Sequence, residues 1–266
     1  MQLSEYKNIF DNEEHHFFYV GNRLVILNLV KKYTQGKKSL NILDAGCGTG
    51  MLAKKLQTIG RVTGVDISPE AIKYAQQRDV QARLASVTEL PFKDNTFDLI
   101  VSIDVLYHQL VNNDLKAISE FKRVLKPRGV LILKVPAYNW LRGSHDIVVH
   151  TKHRYTANEL KQLTTKTGLK ILKASYFASF LLPLAIVKRL IESVMRPKHA
   201  GSDVSSPPYF LNTLIVALYK LESFLLNFVN IPFGLSALVV AQKPQATKYP
   251  LVKSAVKTSP KTKNKK

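Results

Sequence analysis

Seven residues, Asp44-Ala45-Gly46-Cys47-Gly48-Thr49-Gly50, constrain this chain more than any other stretch. They follow a strand-like run, Leu40–Asp44, and precede a helix-forming run from Met51 to about Ile59. Alternating glycines permit a tight turn and let a ligand approach the backbone closely. The helix start beyond them offers free N–H groups. Twenty residues after Gly46 comes Asp66, at the end of the next strand-like run, Arg61–Ile67. A carboxylate in that place accepts both hydrogen bonds of a ribose diol. Strand, glycine turn, helix and a second strand ending in an acid together predict a nucleotide-type ligand.

The alternation continues. Ser68-Pro69-Glu70 is a helix start, with serine as cap and proline in the first turn. Val80–Ala85, Phe97–Ile103 and Gly129–Val135 read as strands, and Asp114–Leu125 and Ala157–Thr167 as helices. Two more strand-like runs, Leu169–Tyr176 and Leu235–Ala241, are separated by a long apolar detour. The fold class is therefore α/β, a doubly wound Rossmann-like sheet with an apolar helical insertion before the last strand. The expected organisation is a helical cap and entry over 1–39, with a helix from Arg23 to Tyr33, and a core over 40–176 plus 235–242. The insertion spans 177–234, and a lysine-rich tail expected to stay disordered spans 243–266.

Within the insertion, Phe180–Val187 is apolar all round. A second helix, from Tyr209 to about Val229, places Leu211, Leu214, Ile215, Leu218, Leu221 and Leu225 on one face. Asn212, Lys220, Ser223 and Asn227 fall opposite, and Glu222 interrupts the apolar face. Neither stretch reads as a bilayer span, which needs about 20 apolar residues. A helical cap packed on the core and an amphipathic hairpin lying in a membrane surface both fit; the all-round apolar run favours the second.

Net charge is +20 over 266 residues, but the eight lysines after Ala241 supply much of it, and without them +12 remains. Aromatics do not interleave with the basic residues, so no specific nucleic-acid partner is expected. One cysteine excludes a disulfide framework. The start of the chain lacks a basic, apolar, small-residue leader, so the expected location is cytoplasmic, with peripheral contact on the inner face of a membrane.

Asp44 separates two cofactor classes. An acid ahead of the loop repels a pyrophosphate and suits a cation, which disfavours a nicotinamide dinucleotide and favours S-adenosylmethionine. At this point the sequence resembles the class I S-adenosylmethionine-dependent methyltransferases, in the branch with the UbiE-like enzymes. Ile42–Gly50, Val65-Asp66-Ile67-Ser68, Leu90-Pro91-Phe92 with Phe97-Asp98, and Val124–Gly129 carry the likeness, over roughly residues 40–135. The resemblance implies a seven-stranded sheet whose last strand is antiparallel. It implies Asp44, Gly46 and Gly48 around the methionine part, Asp66 on the ribose, and Ile67 on the adenine. Ser86 and Val87 would lie at the adenine edge, where relatives carry an acid in place of Ser86, and Ile103 on the cofactor's other side. The aromatic run His15–Tyr19 followed by Arg23 resembles an entry found in a subset of these enzymes, with Arg23 pairing the cofactor carboxylate.

His145, Asp146 and His150 follow the fifth strand, at the sheet edge where ligands bind, and are the candidates for taking or steering an acceptor's proton. His108 and His153 join that neighbourhood, but their spacing matches no metal motif and none is expected. The predicted function is methyl transfer, to oxygen or carbon, onto a small hydrophobic or lipid-linked acceptor. An RNA methyltransferase and a non-catalytic cofactor-binding or membrane-scaffold protein are the alternatives.

Overall fold

The computed structural model describes residues 3–195 and 207–245. Two helices, α1 (Leu3–Asn12) and α2 (Phe17–Tyr33), lead into β1 (Leu40–Ala45), α3 (Met51–Leu56), β2 (Gly60–Asp66), α4 (Pro69–Gln77) and β3 (Gln81–Leu84). The chain continues through β4 (Phe97–Ile103), α5 (Asp114–Val124), β5 (Leu125–Pro136), the short α6 (Ser144–Val148), α7 (Ala157–Lys166) and β6 (Lys170–Phe177). Helices α8 (Leu182–Met195) and α9 (Tyr209–Leu225) intervene before the last strand, β7 (Ser236–Gln242).

The strands form one seven-stranded sheet in the order β3-β2-β1-β4-β5-β7-β6. β7 runs antiparallel to both β5 and β6, and β1 to β5 pair in parallel. This is the architecture expected from the sequence. The central strands are apolar on both faces because helices cover both. Leu43, Ile100 and Leu133 meet Phe121 of α5 and Leu160 of α7 on one side, and Ile42, Leu99 and Ile132 meet Leu29 of α2 and Tyr219 of α9 on the other.

Several boundaries differ from the sequence reading. α2 begins at Phe17 rather than Arg23, because the His16 ring accepts a hydrogen bond from Phe18 N–H and caps it. β5 begins at Leu125 rather than Gly129 and runs through Lys126-Pro127-Arg128, with an irregular register against β4 absorbing the proline. Residues 144–148, assigned no element above, form α6, whose first turn is closed by Gly143 N–H donating to Asp146 Oδ2 at 2.8 Å. The lysine-rich tail beyond 245 lies outside the described residues.

The insertion holds the largest departure. α9 turns Asn212 and Ser223, and the turn after it Asn227, toward the protein and its leucines outward, while Ile215 of the apolar stripe is buried. Phe17 N–H donates to Asn212 Oδ1 at 2.8 Å, and Asn28 Nδ2 reaches Ser223 O at 2.8 Å and Asn227 Oδ1 at 3.1 Å. Leu214, Leu221 and Phe228 are 52%, 57% and 72% exposed. Glu222, the flaw in the stripe, is buried. Its carboxylate accepts from Ala178 N–H at 2.6 Å and Ser179 N–H at 2.9 Å, and so caps the turn that leaves β6 for α8. Among the described residues no helix is long and apolar enough to cross a membrane.

Candidate functional site

The carboxyl ends of β1, β2, β4 and β5 open into one cleft of about 780 Å³, roofed by α1 and α2 and walled by α6 and α8. Its size suits a small-molecule ligand plus a second reactant. Asp44 ends β1 on its floor. The glycine loop turns away immediately after, with Gly46 at φ +85° and Gly50 at φ +85°. A Cβ on Gly46 would stand 2.1 Å from Val105 Cγ2, and one on Gly50 2.9 Å from the Ala75 backbone. Both positions therefore demand glycine twice over, by dihedral and by space. Gly46 and Cys47 N–H groups bind Val65 O at 2.7 and 2.9 Å, stitching the loop to β2.

Asp66 receives Gly48 N–H on Oδ2 at 3.0 Å and Ser68 N–H on Oδ1 at 2.9 Å. It thus fixes the loop against the start of α4 and keeps a lone pair on each oxygen for a diol. Burial nonetheless pushes its carboxyl up. Asp44 is more extreme. Its Oδ2 is buried and makes no hydrogen bond among the described residues, and burial, reinforced by the Asp66 charge, pushes the carboxyl up to about 7. Its unpartnered oxygen is left to accept from a donor that a ligand brings. The Cys47 thiol is pushed far up by burial and by the two carboxylates, so it is inert packing.

Ile67 is 48% exposed at the cleft's edge, an apolar surface left for a flat ring. Val87, Ile103 and Ser86 line the same end. The Ser86 hydroxyl is engaged with Thr88, 2.8 Å to its Oγ1. Arg23 reaches the cleft from α2 and donates to Glu13 O at 2.9 Å. All nine predicted cofactor residues thus converge on one cavity.

The predicted proton-handling residues do not converge as closely. His145 and Asp146 line the cleft and His150 does not. Asp146 holds Arg154 through both oxygens, at 2.8 and 2.9 Å. Burial pushes its carboxyl up, but the Arg154 hydrogen bonds and charge, with Gly143 N–H, outweigh it and hold the group below its ordinary value. His150 faces His108, ring centroids 5.8 Å apart, and burial lowers His108 to about 4, so it is neutral near pH 7. His153 turns away to Tyr155. Among the described residues no three His, Cys, Asp or Glu side chains gather to hold a metal.

Two features escaped sequence reasoning. α1 forms part of the roof, with Tyr6 and Ile9 lining the cleft, and Glu13 behind it pins the loop by accepting from Thr49 Oγ1 and pairing with Arg78 at 2.7 Å. Tyr6, Ile9 and Phe10 at helical spacing carried that signal. The second is an ion pair at the ends of β5 and β4 between the buried Lys134 and the partly exposed Asp104.

Comparison with known proteins follows this geometry. Residues 43–133 match the family model described as a methyltransferase domain. An uncharacterized protein of Methanocaldococcus jannaschii is 40% identical over 112 residues, 41% of this chain and 46% of the relative. A demethylmenaquinone methyltransferase of Lactiplantibacillus plantarum is 41% identical over 104 residues, 35% of this chain and 43% of the relative. The chain thus spans less than half the length of these two relatives. A solved S-adenosylmethionine-dependent methyltransferase from Thermotoga maritima superposes with a TM-score of 0.56 at 18% identity, covering 90% of this chain and 95% of the other. Residues 43–133 thus resemble a methyltransferase domain, and the chain shares the fold of that solved methyltransferase.

Proposed function

We propose that the chain is an S-adenosylmethionine-dependent methyltransferase acting on a hydrophobic acceptor at a membrane surface. The observation that carries the first part is the orphaned, buried Asp44 carboxylate beside the glycine loop, in one cavity with Asp66 and the uncovered Ile67. These residues fit the cofactor. Asp44 accepts from its ammonium, Asp66 from the ribose hydroxyls, and Ile67 and Val87 sandwich the adenine, with Arg23 available for the carboxylate. When bound, the cofactor supplies an electrophilic methyl group on a positively charged sulfur. Methyl transfer is an in-line displacement, so the protein's work is alignment and exclusion of water.

The acceptor half of the cleft combines the apolar Leu141, Leu181, Leu184 and Leu235 with the polar His145, Lys188 and Arg189. His145 on the same wall is a candidate for steering the acceptor's proton, and Arg154 with Asp146 braces that wall. α8 belongs both to this wall and to the outer surface, since Leu184 lines the cleft yet is 67% exposed. Trp140, 60% exposed, lies near α8, and the leucines of α9 are exposed as well. Lys31 and Lys220 lie with Phe224 at the α2–α9 side of this face. An apolar face with a cationic rim and a partly exposed tryptophan suits an anionic lipid surface, from which a lipophilic acceptor enters beneath α8.

Incubation with methyl-tritiated S-adenosylmethionine and a whole-cell extract, partitioned between organic solvent, water and nucleic acid, tests the acceptor class. Label in the organic phase is expected; label confined to RNA refutes it. Sedimentation with phosphatidylglycerol vesicles tests the surface. Wild type is expected to co-sediment and the Leu221→Lys/Phe228→Asp double variant to lose at least tenfold in binding with an unchanged melting temperature. Equal binding by both proteins refutes the membrane face.

A further inference from the structure

Lys134 stands in the run Val130-Leu131-Ile132-Leu133-Lys134-Val135, on a strand enclosed between β4 and β7, and is 2% exposed. A buried ammonium is costly unless paired. Its partner is Asp104 Oδ2 at 2.5 Å, and the rings of Phe18 and Phe177 lie 5.4 and 5.9 Å away. Asp104 directly follows β4 with φ +55°, in the left-handed region, its N–H donating to Lys134 O at 2.8 Å. Non-glycine residues persist in that region where the surroundings over-determine them.

A pair that merely stabilised the sheet edge would satisfy both carboxylate oxygens. Here Asp104 Oδ1 is buried and makes no hydrogen bond among the described residues. Asn22 repeats the pattern: its Nδ2 donates to Phe18 O at 2.6 Å, and its Oδ1 is equally orphaned. Both residues line the cleft. Two orphaned acceptors call for a ligand that brings a donor.

Sheet order says which reactant that is. Asp66 ends β2, Asp44 ends β1, and Asp104 follows β4, the next strand along. At about 4.8 Å per strand, Asp104 is displaced beyond Asp44, away from the ribose end and toward the acceptor half. We propose that Asp104 Oδ1 binds the acceptor's hydroxyl and takes its proton, with Lys134 as the positioning residue that holds the carboxylate in place. This deepens, and rests on, the reading of the chain as a methyltransferase for a hydrophobic acceptor: the acceptor is a lipophilic alcohol or phenol, methylated on oxygen. The acceptor's O–H bond breaks with its proton passing to Asp104 Oδ1. The oxygen's electron pair forms the new O–CH3 bond, and the electrons of the broken carbon–sulfur bond stay on sulfur. The proton then leaves to solvent with the product.

The test uses Asp104→Asn, Lys134→Arg, Lys134→Met and His145→Ala in the full chain. S-adenosylhomocysteine affinity is read by calorimetry, and the rate of label transfer from tritiated S-adenosylmethionine into a total lipid extract is read between pH 6 and 9. Asp104→Asn is expected to bind S-adenosylhomocysteine within threefold of wild type, which also shows that it is folded. Its rate should fall at least about 100-fold, as for loss of a general base, and the residue should rise about tenfold per pH unit as hydroxide replaces the carboxylate. Lys134→Arg should recover most of the rate lost in Lys134→Met. Loss of S-adenosylhomocysteine binding in Asp104→Asn would assign Asp104 to the cofactor and overturn the proposal. So would an Asp104→Asn rate within fivefold of wild type, or a pH profile altered by His145→Ala and not by Asp104→Asn. A wild type that binds S-adenosylhomocysteine but labels no lipid defeats the acceptor reading itself, and this inference with it.

Discussion

Asp44→Asn should make the cofactor-free protein more stable, and by an amount that depends on pH in a definite direction. The Asp44 carboxyl, ordinarily at 3.8, is pushed to about 7 by burial and by the Asp66 charge. The folded chain therefore holds a proton that the unfolded chain has released between pH 4 and 7, and stability falls as pH rises through that window. With these two values the penalty is negligible at pH 3, about 2 kcal/mol at pH 5 and about 4 kcal/mol at pH 8. An asparagine of the same shape has no charge to desolvate, so the variant-minus-wild-type difference in unfolding free energy should grow by about 4 kcal/mol from pH 3 to pH 8. Urea titrations at pH 3, 5 and 8 measure it, and subtraction cancels any pH-independent cost of the substitution. The same variant should lose cofactor affinity. Wild-type affinity for S-adenosylmethionine should weaken up to tenfold per pH unit below 7, while the variant's stays flat. A stability difference that does not change with pH would refute the argument, because it would mean that Asp44 titrates in the fold as it does in water.

Other perturbations have equally definite outcomes. Glu222→Ala removes the acceptor of Ala178 and Ser179 N–H groups; buried donors left unpaired cost about 1–3 kcal/mol. The urea midpoint should drop accordingly, and Glu222→Gln should recover part of the loss. Cys47 should resist iodoacetamide at pH 8 in the native protein and react only as fast as the chain unfolds, since its thiol is buried between two acids. Rapid labelling of the native protein at that pH would contradict the loop geometry.

The glycine loop was legible in the sequence because covalent geometry leaves few alternatives: positive φ at Gly46 and Gly50 admits few other residues. The alternation of strands and helices was legible for the same kind of reason, since period decides element type. Direction was not. The periodicity of α9 shows that a leucine stripe exists, yet it says nothing about which side packs inward; Asn212, Ser223 and Asn227 decided that through partners about 195 residues away in the chain. Glu222 looked like a defect for the same reason, its partners lying 43 and 44 residues earlier. Lys134 and Asp104 are 30 residues apart and acquire meaning once β5 is laid beside β4.

The arrangement of α9 reverses the usual ranking of its residues under mutation. In most surface helices a leucine-to-alanine change destabilises and an asparagine-to-alanine change passes unnoticed. Here Asn212 and Asn227 join the buried Ile215 and Tyr219 in attaching this segment to α2 and to its capped start, while Leu214, Leu221 and Phe228 are largely exposed. A deep mutational scan read for folding alone would score those apolar positions as freely replaceable, and a scan read for growth would score them as constrained. The gap between the two maps, position by position, would trace the outline of whatever surface the helix meets in the cell.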